Sequence, residues 1–548
     1  MKLNITARAA RWSAAHWKTA TLVWLAFVVA AVVLGGMAGK KGLTDSESST
    51  GETARAETML EKAGFDTPTS ESVLVQAKHG GLRGETRTVV SRLKGNSDTE
   101  RVRVTQWSKD GRSALVEFDL KDDNNVSSVL NTVSNLQRAG PAFTVAEFGS
   151  ASIDQQASDR INKNLAKAEM LSMPITFLVL LLAFGALVAA GIPVLLAMSA
   201  VLAAIGLDSL ISHVWHTADP AASVILLIGM AVGVDYSLFY VKREREERRR
   251  GHGDDALIRA AGTSGMAVLV SGGTVMIAMA GMLLSGSKIF TALGIASMLV
   301  VAAAVIGSLT VLPALLGKLG DRIDRGFTFI QRAKGRDRDT SRLWNLVLRP
   351  VLRHPWVATL ASVWVLVLLA LPALKIHTAL PGLGDMSKSI PAVAAYDKID
   401  KAFPGSQIPV TVVVKADNVD APSVRNAIAN MRHEAVASGL MNEPVTVAVN
   451  PSHTIAKVDL PLTGNGDDAK SNQALALLRG TILPATMSHV DHAVTGDTAG
   501  NRDFNQTVKN RFPYVFAFTL GLAFLLLLVT FRSIVVPLTA IGLNLLSV

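Results

Sequence analysis

The residue whose chemistry most needs explaining is Asp235, set in the run IGMAVGVDYSLFYV from Ile228 to Val241, where it is the only charged side chain. An aspartate near the middle of a lipid slab costs about 2.5–3.5 kcal/mol on insertion scales. Such a carboxylate is useful if its charge is switched, so the chemistry it suggests is proton binding and release. Tyr236 follows it with a hydroxyl able to donate to the carboxylate. Gly229 and Gly233 form a small-xxx-small pair that admits a neighbouring helix closely, and that packing is expected to exclude water from Asp235. In another apolar run Ser271 and Thr274 extend a polar path, unless they bond the preceding turn of their own helix, as such hydroxyls often do. The other acid in these runs, Asp208, lies six residues before Val214, near an end where interfacial water is within reach.

Other chemistries find little to work with. No G-x-x-x-x-G-K-[ST] phosphate loop occurs, so ATP hydrolysis is not expected. The chain has no cysteine, no H-E-x-x-H and eleven scattered histidines, which argues against a catalytic metal and against disulfides. No enzyme activity and no cofactor are expected, protons serving as the coupling ion. A proton crossing the membrane releases about 2.3 kcal/mol per 100 mV and about 1.4 kcal/mol more per pH unit.

The elements that must hold Asp235 follow from hydropathy. With 548 residues, 49% of them hydrophobic and 18% charged, the chain combines membrane spans with aqueous domains. Apolar runs of about 20 residues, the length that crosses the hydrocarbon, occur at 19–38, 171–190, 191–214, 221–241, 265–285, 291–316, 356–374 and 512–531. A ninth begins at Ser533 and is still open at Val548, so the sequence is expected to be incomplete. The first run is read as a retained span, not a cleaved leader, because the run at 356–374 repeats its basic flank and His-Trp pair. Basic residues set the orientation: residues 1–18 hold four Lys or Arg, 242–262 hold seven and 317–355 hold ten, against nine acids in all three. That excess of twelve accounts for the net charge of +10. The amino terminus, the loop 242–264 and the linker 317–355 are therefore expected in the cytoplasm, and the segments 39–170 and 375–511 outside. The basic run Lys242 to Arg250 is read as a solvated helix end that fixes topology, with no nucleic-acid partner.

An internal repeat relates the halves. At an offset of 347, Gly149 matches Gly496, Phe177 matches Phe524, and LLLAF at Leu180 to Phe184 matches LLVTF at Leu527 to Phe531. Each external segment opens with a helix (Glu52 to Ala63; Val393 to Ala402) and a turn after Phe65 or Phe403. The first continues with strands at Ser72 to Ala77, Val102 to Trp107, Ala114 to Leu120 and Phe143 to Phe148. The second has them at Val410 to Lys415, Val445 to Val449, Ile455 to Leu460 and His492 to Gly496. With the intervening helices the order is βαββαβ, the split ferredoxin-like unit. The fold class expected is a polytopic α-helical membrane protein with two extracytoplasmic α+β domains and a pseudo-two-fold repeat. A counterpart of Asp235 in the second half would fall beyond residue 548.

At this level of detail the chain resembles the MMPL family of the resistance-nodulation-division superfamily. The resemblance is carried by GMAVGVDYSLFYVKREREE (Gly229 to Glu247), VSGGTV (Val270 to Val275), LTVLPAL (Leu309 to Leu315) and FRSIVVPLTAIGLNLLS (Phe531 to Ser547). It implies about twelve spans in a bacterial inner membrane, two porter-like external domains, and proton-driven export of lipids, lipid-linked precursors or drug-like metabolites. Asp235 and Tyr236 then correspond to half of the family's proton relay. The expected partners are membrane lipids, a hydrophobic substrate and envelope proteins. A receptor or scaffold for envelope assembly that does not transport is the alternative reading. Exposing an acyl chain to water costs about 0.8 kcal/mol per CH₂, more for a long chain than one proton supplies. A lipid substrate would therefore have to pass from the outer leaflet into an apolar cavity.

Overall fold

A computed structural model describes residues 4–65, 70–78, 80–122, 125–140, 142–184, 186–253, 255–320, 342–372, 386–403, 409–464, 466 and 468–547. Most of the basic linker 317–355, the entry to the second external segment and the turns after Phe65 and Phe403 lie outside the described residues. In chain order the elements begin with α1 (Ile5–Ala15), α2 (Trp17–Ala38), α3 (Asp45–Ser48), α4 (Gly51–Lys62), β1 (Ser70–Ala77), α5 (Leu82–Lys94), β2 (Thr99–Trp107), β3 (Ser113–Leu120), α6 (Val126–Ala139) and β4 (Phe143–Gly149). Then come α7 (Ser150–Phe184), α8 (Leu187–Ile211), α9 (Ala221–Arg249), α10 (Asp255–Ala260), α11 (Met266–Ala280), α12 (Lys288–Leu319), α13 (Arg342–Arg353) and α14 (Pro355–Ala370). The remainder is α15 (Pro391–Ala402), β5 (Pro409–Lys415), α16 (Pro422–Ala437), β6 (Thr446–Val449), β7 (Ile455–Pro461), α17 (Ala469–Leu477), α18 (Leu483–Thr486), β8 (Asp491–Thr495), α19 (Asp497–Phe531) and α20 (Val535–Ser547). Two compact units result: residues 1–44, 169–378 and 508–548 form one, and residues 45–168 and 379–507 the other.

The first unit is helical. Among the described residues six helices are long and apolar enough to cross a membrane: Trp17–Ala38, Leu187–Ile211, Ala221–Arg249, Asp255–Leu284, Lys288–Leu319 and Asp497–Phe531. The run expected at 171–190 is divided differently. Its helix α7 stops at Phe184, Ala186 takes an extended conformation as the cap of α8, and residues 187–190 open α8. At the centre α12 packs against α2, α8, α9 and α11. Its buried face is built from small and β-branched residues such as Ala296, Val300, Ala303, Ala304 and Gly307, which let backbones approach where lipid supplies no hydrophobic drive between helices. Helices α2 and α8 cross backbone to backbone. A Cβ on Gly206 would lie 2.2 Å from the Ala31 carbonyl oxygen, and one on Gly35 would lie 2.4 Å from the Gly206 carbonyl oxygen. Trp24 Nε1 donates to Ser199 Oγ at 3.0 Å between the same two helices.

The second unit holds two antiparallel four-stranded sheets, ordered β2-β3-β1-β4 and β6-β7-β5-β8. Val73, Val75, Val116 and Val145 on one face of the first sheet form a core with Val89 and Leu93 of α5 and Val129 and Val133 of α6. The second sheet packs Val412, Val414, Val458 and Val494 against α16 and α17 in the same way. The other faces are covered by exchange. Helix α4 lays Ala56 and Leu60 on Val413, Ile455 and Ala493 of the second sheet. Helix α15 lays Ala392, Ala395, Tyr396 and Ile399 on Leu74, Leu115 and Phe148 of the first. The two external segments, expected as separate domains at 39–170 and 375–511, thus fold into one compact unit in which each caps the other's sheet. The apolar stripes of α4 and α15 are legible by periodicity, but a stripe does not say which sheet it will cover.

Candidate functional site

Helix α9 carries the residues singled out by their chemistry, and its two sides are built differently. On one side Gly229 and Gly233 are buried. A Cβ on Gly229 would come within 2.5 Å of both Val201 of α8 and Val300 of α12, and one on Gly233 within 2.8 Å of the Ala197 Cβ. Each glycine therefore sets the distance between α9 and two neighbours. Ser237, one turn on, is buried and returns its hydroxyl to the Gly233 carbonyl at 2.9 Å.

Asp235 is not on that side. Two residues beyond Gly233 is a rotation of about 200° on a helix, which places the carboxylate opposite the glycine seam. It is exposed, in an exposed stripe with Leu227, Ala231 and Phe239. The expectation that the glycine packing would desolvate Asp235 is therefore corrected: the seam excludes water from the side facing α8 and α12, and the carboxylate looks away from it. Among the described residues no hydrogen bond or ion pair reaches it.

Tyr236 points about 100° away from Asp235, into a buried cluster with Val201, Val268, Val300 and Val305. Its hydroxyl is buried and, among the described residues, has no well-formed hydrogen bond, Ser271 being the polar group beside it. Gly272 of α11 makes room for it, since a Cβ there would stand 3.5 Å from the hydroxyl oxygen. Ser271, exposed on α11, neighbours the Tyr236 hydroxyl and is the member of the expected polar path that stays available. Thr274 is committed elsewhere, donating to the Val270 carbonyl at 2.9 Å. Asp208 is a structural group: it is buried and accepts from Thr217 Oγ1 at 3.0 Å. Thr217 in turn is fastened to the strand-like stretch at Lys41 to Leu43 through its backbone.

The charged exit of α9 differs from its sequence reading as a solvated helix end. Glu244 and Glu247 are buried. Glu244 is bonded by Arg248, and Glu247 by Arg243 at 2.7 Å and by Arg250 at 3.2 Å. Above them Tyr240 is fully buried, its hydroxyl without a hydrogen bond among the described residues. The i, i+4 spacing of Tyr236 and Tyr240, and of Tyr240 and Glu244, was the available signal for one buried stripe. Next to it the backbone forms a π-helical turn at Ala261–Gly265. Two carbonyls of that turn are bonded from the amino terminus, Ala261 by Thr6 Oγ1 at 2.7 Å and Gly262 by Asn4 Nδ2 at 2.8 Å. The amino-terminal helix α1 is thereby stitched to the start of α11.

A bundle of apolar helices with one isolated acid defines a multi-pass membrane protein. The pattern of the MMPL family matches residues 41–358 and 385–548, and the chain belongs to that family, which is one of inner-membrane transporters and not of enzymes. It is 29% identical over 409 residues to the mycolic acid-containing lipids exporter MmpL11 of Mycolicibacterium smegmatis, covering 73% of this chain and 43% of that protein. To the heme uptake protein MmpL11 of Mycobacterium tuberculosis it is 30% identical over 422 residues, 75% of this chain and 43% of the relative. To the trehalose monomycolate exporter MmpL3 of Mycobacterium tuberculosis it is 26% identical over 474 residues, 79% and 49%. The chain thus spans a little under half the length of these relatives.

Proposed function

We propose that the chain takes part in moving a hydrophobic, lipid-like molecule across or out of the bacterial inner membrane at the expense of the proton gradient. Asp235 is the group that is charged and discharged, and Tyr236 its partner in the relay. The observation that carries this reading is the isolation of Asp235. It stands without a counter-ion or hydrogen bond among the described residues, on an apolar stripe of a helix whose opposite side is locked by glycine packing. A permanently charged carboxylate there would keep paying its insertion cost, whereas one that binds a proton does so only in part of a cycle. The basic segments at 1–18, 242–264 and 317–355 support a cytoplasmic amino terminus. The two sheets then lie outside as a pair of porter-like domains related by a pseudo-two-fold repeat. An apolar cargo is favoured over a polar one by the names of two relatives, both exporters of mycolic-acid lipids, and heme, named for the third, is also largely apolar.

The test is Asp235→Asn in the gene encoding this chain, with export of labelled envelope lipids and proton flux in vesicles measured side by side. Loss of both, with the protein still inserted and Asp235→Glu retaining part of the activity, is the expected result. Undiminished proton-coupled export by the Asn variant would refute the reading, and insertion without any proton flux in the native chain would favour a receptor or scaffold.

A further inference from the structure

We propose that Glu71 and Glu147 form a site for a single proton at the base of α7, with the proton carried by Glu147. The site lies outside the apolar helices and does not rest on the transport reading.

Its geometry begins with strand register. Glu71 of β1 stands opposite Gly149 of β4, and Glu147 opposite Val73, so the two glutamates are diagonal neighbours on one face of the sheet, within reach of each other for side chains of this length. That face is the one covered by α5 and α6, and neither glutamate is exposed, at 0% and 4%. Glu71 has a structural duty. Its Oε1 accepts from the Ala151 and Ser152 backbone amides at 2.9 and 3.3 Å, capping the 35-residue helix α7 at its positive end, where a carboxylate is favoured. Gly149 is small for this reason, since a Cβ there would lie 2.3 Å from the Glu71 carboxyl. Glu147 has no such partner: both of its carboxyl oxygens are buried without a hydrogen bond among the described residues.

A buried carboxylate with neither donor nor cation is costly, and the inexpensive remedy is to protonate it. Burial first, and the Glu71 charge second, hold Glu147 well above the usual carboxylate range. No cation competes. Arg83, Arg87, Arg92 and Lys94 of α5 and Arg138 of α6 are exposed, and Glu85 of α5 brings another negative charge. Asp154, one turn into α7, is exposed, and Asp397, Lys398, Asp400 and Lys401 belong to α15, which covers the opposite face of the sheet. While the proton is present one negative charge caps α7. When it leaves, two negative charges share a dry site, and the cap must loosen. Because α7 is one continuous helix from Ser150 to Phe184, the site makes the anchorage of its start depend on the pH at the sheets.

The test uses the full chain in detergent or vesicles, with thermal unfolding followed from about pH 4 to about pH 9. A raised folded-state pKa gives stability that is complete below the ordinary glutamate value and is lost as pH rises through the folded value, about tenfold in the unfolding equilibrium per pH unit in that window. The native chain should show this loss, Glu147→Gln should remove it, and Glu71→Gln should move its upper limit to lower pH. Infrared difference spectra supply a readout independent of folding energetics: a protonated-carboxyl band that disappears as pH is raised, absent in Glu147→Gln. Matching pH profiles for native and Glu147→Gln chains, or no such band, would overturn the proposal. If Glu147→Gln does not fold, an unmoved profile in Glu71→Gln overturns it equally.

Discussion

The bases of α7 and α19 occupy the same place in their sheets and are fastened in opposite ways. In the first sheet the residues beside the helix start are Glu71 and Glu147. In the second, register places Val412 opposite Val494 as Val73 stands opposite Glu147, so the counterparts of the two acids are Val410 and Val494, both buried. At this second base the bonded acid is on the helix itself. Asp503 of α19 is bonded by Arg479 at 2.6 Å and by the backbone and hydroxyl of Thr53 at 2.9 and 2.7 Å, while Arg479 also pairs with Glu52 at 2.9 Å. Burial works to raise the Asp503 carboxyl, but the bonds from Arg479 and Thr53, with the Arg479 charge, outweigh it and leave the group below its usual range. The signs are opposite. Stability from Asp503 is present above the ordinary aspartate value and is lost as pH falls through its lowered folded value. Stability tied to Glu147 is present at low pH and is lost as pH rises. One helix is anchored by an ion clamp that ignores neutral pH, the other by a proton.

The clamp is the place to break that comparison hardest. Arg479→Met keeps the bulk of the side chain but leaves Asp503 and Glu52 without their cation. Removing one partner of a buried ion pair costs about 3–5 kcal/mol, and since Glu52 is a third exposed, a loss of about 3 kcal/mol is expected. Because Thr53 and Glu52 belong to α4, the exchanged helix should loosen with it. Denaturant titration of the full chain, with hydrogen exchange read on α4 and α19, checks both parts. Exchange that speeds up on α19 alone would show that α4 is held by its apolar face and not by the clamp.

Much of this arrangement could be read in the sequence and some could not. Short apolar runs and apolar alternation, bounded by turn residues, marked all eight strands to within a few residues, because a half-buried or buried strand writes its pattern into the chain. Asp235 was conspicuous as a lone acid in an apolar run, and the glycines at 229 and 233 as a packing face. What periodicity could not supply was direction between neighbours. The 200° between Gly233 and Asp235 separates the seam from the carboxylate, although the residues are only two apart. Thr274 had two readings, and the structure takes the local one. Glu71 in SESVLVQA shares a face with Val73 and Val75, but nothing near it in the sequence names its partner; α7 begins beside it, and the bond comes from Ala151 of that helix, 80 residues later. Long-range partners of this kind leave no mark on local pattern.

A smaller effect sharpens the difference between the two glycines that precede these helices. Gly149→Ala meets a side chain, the Glu71 carboxyl at 2.3 Å, and should cost about 1–2 kcal/mol by dislodging the cap from α7. Glu71→Ala opens that space, so in its background the same substitution should cost much less, with a coupling of about 1 kcal/mol in a double-mutant cycle. Gly496→Ala meets backbone instead. Its φ is +105° and its Cβ would stand 2.9 Å from the Pro409 carbonyl oxygen, so no truncation of a neighbouring side chain should rescue it. Additive costs at Gly149 and Glu71 would mean that the carboxyl is free to move aside.

The smallest effect is expected at Arg55, which shows why the clamp is a matter of burial and not of ion pairing as such. Arg55, also on α4, reaches the same sheet through Asp491 at 3.0 Å, but both side chains are about half exposed. In that setting water already solvates each charge, salt screens the attraction, and ordering two long side chains consumes most of what remains, so exposed pairs contribute about 0–1 kcal/mol. Arg55→Ala should therefore lower stability by less than about 0.5 kcal/mol, an effect that fades at high salt. Arg479→Met should keep most of its cost there, since the Arg479 and Asp503 side chains are only 17% and 11% exposed and salt screens such a pair weakly. Measuring both variants at low and high ionic strength separates the two contacts between α4 and the second sheet. A salt-sensitive Arg479 would place that clamp in solvent and remove the contrast with the base of α7.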